Sequence, residues 1–149
     1  MPSTRTRQRA LRDKRQGKAP STQAGGFVRE EIHHVRQGKH GARSTKQAIA
    51  IGLAKARRAG VRLRPPTRGQ TPTTTRRRAE RDYAKGLAAG SARKSQRRSR
   101  ATRRALGREG HAAASPRALA RQTRRASKRR SARSRSAAAK KAARTRARR

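Results

Sequence analysis

Five residues of types that handle protons or metals fall within eleven positions: Glu30, Glu31, His33, His34 and His40. Imidazole and carboxylate ligate borderline divalent ions, and both serve as general acids and bases. The sequence completes neither chemistry. Tetrahedral metal sites close a ligand set that usually includes cysteine; the chain has none, and no metal-ligand spacing is present. His33, His34 and His40 therefore read as exposed helix-surface or loop histidines. The paired glutamates lack the nucleophile or glycine-rich phosphate loop that would accompany catalysis, and neither GVRLRPP nor GGF fits a P-loop or dinucleotide fingerprint. The sequence implies no enzyme, no cofactor and no small-molecule substrate.

The other chemistry on offer is phosphate binding. Lys and Arg number 46 against 6 Asp and Glu, a formal net charge of +40, and aromatic residues make up 1% of the chain. Self-repulsion on this scale calls for a polyanionic partner, and nucleic acid carries the matching charge density. Most of the cations are arginines, whose planar fork grips phosphate in a bidentate way. Without aromatic residues between the charges there are no stacking platforms, so phosphate contact with little sequence preference is expected. The candidate contacts are Lys46, Lys55, Arg57 and Arg58 in the first half of the chain. In the second half they are Arg103, Arg104, Arg124, Arg125, Lys128, Arg129, Arg130, Arg133, Arg135, Lys140, Lys141, Arg144, Arg146, Arg148 and Arg149. Duplex DNA is the favoured partner and an RNA-bound structural role the alternative, since composition alone does not separate them. No apolar run is long enough to span a bilayer, and no basic helix has a strong Trp- or Phe-bearing face for a membrane surface. The N-terminus has no apolar signal region, so a cytoplasmic location is expected.

The elements that must position these groups fall into four zones, and the fold class is mainly α. Residues 1–20 form a basic arm in which RQRALRDKRQGK makes a short helix ending at Gly17, with only Leu11 to bury. Residues 21–64 form a helical hairpin. Its first helix buries Phe27, Val28, Ile32 and Val35 and ends at Gly38. Its second helix begins at Ser44, which makes a capping box with Gln47, and presents Ile49, Leu53 and Ala56 at i, i+4, i+7. Gly60 takes the C′ position and Val61 folds back on the last turn. Residues 65–90 are a linker and a third short helix, running from Pro72 to Gly90, with Tyr83 and Leu87 paired at i, i+4. Residues 91–149 are an Arg/Ala/Ser tail with no acidic residue after Glu109. The segments flanking the hairpin are expected to be largely disordered in free solution, because their like charges repel.

A helix-turn-helix would place Lys46, Gln47 and Lys55 against DNA, but the connection holds two glycines and exceeds the usual three to four residues. A hairpin contacting phosphates, and dimerising through its apolar face, is the better reading.

The stretch VREEIHHVRQGKHGARSTKQAIAIGLAKARRAG, Val28 to Gly60, resembles a family of small, very basic bacterial proteins labelled DNA-binding or plasmid stabilization proteins. In that family a similar core precedes a Lys/Arg/Ala-rich tail. The resemblance implies association with bacterial nucleoid or plasmid DNA and supplies no catalytic residues. The tail is histone-like in composition only.

Overall fold

A computed structural model describes residues 2–88 and 95–147. Its regular elements, among the described residues, are all helical: α1 Thr4–Arg15, α2 Pro20–Arg36, α3 Thr45–Arg58, α4 Thr73–Leu87, α5 Gln96–Gly107, α6 Pro116–Lys128 and α7 Ala132–Ala147, with a 3₁₀ turn at Ala112–Ala114. No described helix is long and apolar enough to cross a membrane. The chain divides into two compact units, Met1–Ala114 and Ser115–Arg149.

Local sequence sets the ends of the first three helices. Ser44 Oγ accepts from Gln47 N at 3.2 Å, and Gln47 Oε1 accepts in return from Arg43 N at 2.7 Å. The capping box is thus present, displaced one residue on its return arm. Gly17, Gly38 and Gly60 all adopt positive φ, as C′ glycines do. Each is followed by an N–H that reaches five residues back: Lys18 to Asp13 O, Lys39 to His34 O and Val61 to Ala56 O. At Gly60 the motif brings buried Val61 onto buried Ala56. At Gly17 an ion pair, Lys18 Nζ to Asp13 Oδ1 at 2.7 Å, replaces the usual apolar contact.

The core of the first unit joins Ala10, Ala24, Phe27, Ala56 and Val61, with Leu53 and Leu63 packed against it. From α2, Phe27, Ile32 and Val35 are buried as expected, while Val28 is half-buried. The inward stripe of α3 differs from expectation. Thr45, Ala48, Gly52 and Ala56 face in, and Ile49 and Leu53 are half-buried at its margin. The reason lies in the closeness of the two helices. A Cβ on Gly52 would sit 2.7 Å from Val28 Cα, so only a face of small residues admits α2. In α1 it is Ala10 and Asp13 that are buried, and Leu11 stays 54% exposed. Against α3 packs α4, whose Gly86 lies so near that an added Cβ would fall 1.8 Å from Arg57 O. Helix α4 ends at Leu87 with extended Ala88 as its C-cap, short of the expected Gly90, which lies outside the described residues.

The segment after α5 closes the α2–α3 connection. Gly41 N donates to Leu106 O at 2.9 Å and Ala42 N to Gly110 O at 3.0 Å. Thr45 Oγ1 donates to Ala113 O at 2.6 Å, and Arg36 Nε to Ala114 O at 2.7 Å. Ala114 is fully buried.

The expectation of largely disordered flanks is overturned, because α1, α5, α6 and α7 occupy most of them. Alanine and arginine are among the strongest helix formers. Ser3, Ser95 and Ser115 cap α1, α5 and α6 through their side chains, and Ser131 Oγ accepts from Ser134 N at the start of α7. A serine cap contributes about 1 kcal/mol. Like-charge i, i+4 pairs oppose it by only about 0.2–0.5 kcal/mol each.

Candidate nucleic-acid interface

All six acidic residues lie in the first unit, and five of them pair with a Lys or Arg. Asp13 pairs with Lys18, and Glu30 faces His34 at 3.7 Å. Glu31 meets both His40, at 3.3 Å, and Lys55. Glu80 pairs with Arg76 at 2.6 Å, Asp82 with Arg58 at 3.1 Å and Glu109 with Arg43 at 3.5 Å. Two of these carboxyls are held below their ordinary range. The hydrogen bond from Lys18 does this at Asp13, outweighing desolvation. At Glu30 burial raises the pKa, but hydrogen bonds from Thr6 and from the Ser3 N–H, with the charges of His34 and Lys55, lower it by more.

This pairing sorts the hairpin cations. Lys55 is engaged by Glu31 and Arg58 by Asp82. Arg57 is buried, with Nε donating to Leu63 O at 3.1 Å and a second guanidinium nitrogen to Arg64 O at 3.5 Å. Burial lowers its pKa and Asp82 raises it, but a guanidinium stays protonated in either case. Arg57 therefore ties the segment after α3 to the helix. Lys46 stands exposed on the first turn of α3. Gln47, the other helix-turn-helix candidate, has its carbonyl oxygen occupied by the cap. Arg103 and Arg104 are exposed on α5, a helix that buries nothing.

The second unit has no acidic side chain in its sequence, and α6 and α7 bury no residue. Arg124, Arg125 and Lys128 lie on α6, Arg129 is its C-cap, and Arg130 in the connection donates to Ser134 Oγ and O. Arg133, Arg135, Lys140, Lys141, Arg144 and Arg146 lie on α7, all exposed. Arg148 and Arg149 lie outside the described residues.

On α6 the cations form a pattern. Arg117, Arg121, Arg124, Arg125 and Lys128 follow i, i+4, i+7, i+8, i+11, which places all five along one side of the helix. Leu119, Gln122, Thr123 and Ala126 occupy the other side. At about 1.5 Å rise per residue the stripe is roughly 16 Å long, with a mean step of about 4 Å between its five charges. That is comparable with the axial charge spacing of one strand of duplex DNA, about 3.4 Å. Arg117 and Arg121 are absent from the residues expected above. Their signal was the helical spacing with the other three, hidden by reading the tail as low-complexity chain. On α7 the cations divide: Arg133, Lys140 and Arg144 share one face, and Arg135 and Arg146 fall on nearly the opposite one.

No family model, curated protein or solved structure matches this chain.

Proposed function

We propose that this protein binds duplex DNA through phosphate contacts without reading base sequence, with the α6–α7 unit as the main binding element. The observation that carries the reading is the α6 stripe. Its five cations follow helical spacing, none has an acidic neighbour in its unit, and their pitch is near that of strand phosphates. A binding role rather than a catalytic one also accords with the first unit, where five of the six carboxylates are engaged by Lys or Arg. Opposed cationic faces on α7 suit contact with two phosphate rows at once, so compaction or bridging of DNA is the expected outcome. A homodimer through the hairpin would add to bridging by doubling the basic units. The resemblance of Val28–Gly60 would place this activity on the bacterial nucleoid or on plasmid DNA, in the cytoplasm.

The test is a binding titration of the full chain against equal-length duplex DNA and structured RNA, from about 50 to 300 mM salt. Phosphate-driven binding gives a log–log slope of about −0.9 per contact on duplex DNA. Preference for the duplex with a steep slope supports the reading. Preference for structured RNA would move the protein to an RNA particle, and a shallow slope would remove phosphate contact as the driving force.

A further inference from the structure

The cluster at the C-terminal end of α2 has donor chemistry that the basic surfaces do not use. The Gly38 turn carries the chain back so that His40 lies over Glu31, with His40 Nε2 at 3.3 Å from Glu31 Oε1. His34, one helical turn along from Glu31, completes a group in which one ligand atom from each of Glu31, His34 and His40 lies within 4.8 Å of the others. We propose that Glu31, His34 and His40 form a binding site for a divalent ion of the zinc class, with a fourth position left to water.

Four observations carry the assignment. First, Glu31 is 1% exposed, and its Oε1 has no hydrogen-bond partner among the described residues, although it points at His40. A buried carboxylate oxygen without a donor is costly. Second, His40 Nδ1 is 3.1 Å from Gly41 O. Donation there fixes the tautomer of the neutral ring, in which the Nε2 lone pair faces the lone pairs of Oε1, the arrangement that second-shell carbonyls impose on metal-bound histidines. A cation between the two atoms removes that conflict. Third, the His40–Glu31 separation of 3.3 Å fits: donors about 2.0–2.1 Å from a tetrahedral ion stand about 3.3–3.4 Å apart. Fourth, the supporting shell is in place. Lys55 holds Glu31 Oε2 and so orients the carboxylate, while Glu30 Oε1 lies 3.7 Å from a ring nitrogen of His34.

Two imidazoles and one carboxylate suit zinc, nickel or cobalt better than magnesium or calcium, which prefer all-oxygen sets. The Lys55 ammonium opposes the ion, so affinity should lie below that of a closed structural zinc site. Bound there, the ion would link α2 to the connection that leads into α3.

The experiment is a Zn²⁺ titration of the full chain, followed by competition with a chromophoric chelator and by thermal unfolding. One ion per chain and a raised Tm are expected. H40N, placed in the connection, and H34N should each weaken binding at least tenfold with helical circular dichroism retained. H33N, which changes the exposed neighbouring histidine, should bind as the wild type does. E31Q should lose binding too, but its buried site makes the two histidine variants the deciding ones. The proposal is overturned if the wild type takes up no Zn²⁺, or if H34N and H40N bind as tightly as H33N. Substitution with Co²⁺ gives an independent readout: tetrahedral coordination produces a strong visible band, and its absence from the loaded protein would also sink the site.

Discussion

The two units treat charge in opposite ways. In Met1–Ala114 five of the six carboxylates are each met by a Lys or Arg, Glu30 accepts from the Ser3 N–H, and one arginine, Arg57, is buried among carbonyls. The sequence of Ser115–Arg149 carries fifteen Lys and Arg and no acidic residue, and no described residue there is buried. The first unit uses ion pairs to join helices that have little apolar surface to share. The second rests on helix propensity and capping, and the cations of α6 stand exposed on its surface. A high net charge therefore does not identify a binding surface. What identifies it is charge without an internal partner.

The sharpest way to test that contrast is to neutralise the α6 stripe. Replacing Arg117, Arg121, Arg124, Arg125 and Lys128 together by Gln should reduce the salt slope of duplex binding by up to about 4–5 and lower affinity by orders of magnitude. Thermal unfolding of the first unit should be unchanged. A slope within error of wild type would break the comparison at its centre.

The converse test is in the first unit, where close backbone approach matters. In Gly41→Ala the new Cβ would lie 1.7 Å from Glu109 O, and in Gly86→Ala 1.8 Å from Arg57 O. Each should destabilise this unit by about 1–3 kcal/mol, read by denaturant unfolding, with the salt slope of binding retained. Wild-type stability in both would mean that these contacts are not made.

A single arginine sharpens the distinction further. Arg57→Ala should cost about 1.5–3 kcal/mol through lost charged hydrogen bonds. Lys46→Ala should leave stability unchanged and reduce the salt slope by about 0.9 at most. An exchange of these two outcomes would show that the buried guanidinium, rather than the exposed ammonium, reaches phosphate.

The smallest effect expected is that of acid. Asp13 and Glu30 have folded pKa values below their ordinary ones, so their stabilisation is present above the ordinary carboxylate range and is lost as pH falls through the folded values. As pH falls through the lowered folded value of Glu30, its contact with the Ser3 N–H weakens and α1 should loosen from α2 first. Amide exchange in Thr4–Arg15 would show this, while α6, which has no carboxylate, should be indifferent to the same change. Acid loss of α6 helicity ahead of α1 would contradict it.

What the sequence determined by itself is whatever a few neighbouring residues decide. The Ser44–Gln47 cap and the C′ glycines at 17, 38 and 60 work through bonds spanning six residues or fewer, so their residue types predict them. Charge segregation is equally legible, because Glu109 is the last acid wherever the chain folds. The α6 stripe was also present in the spacing and needed only the helix to reveal it. Tertiary structure alone decided the rest. Gly52 and Gly86 are ordinary helix residues until another backbone lies against them, and small residues then displace Ile49 and Leu53 from the inward face. Thr45 and Arg36 find their acceptors 68 and 78 residues away. His40 faces a buried Glu31 only because the Gly38 turn returns the chain to α2. Local hydrogen bonds carry their own signature in sequence. A contact closed across half the chain depends on packing geometry, which no short pattern encodes.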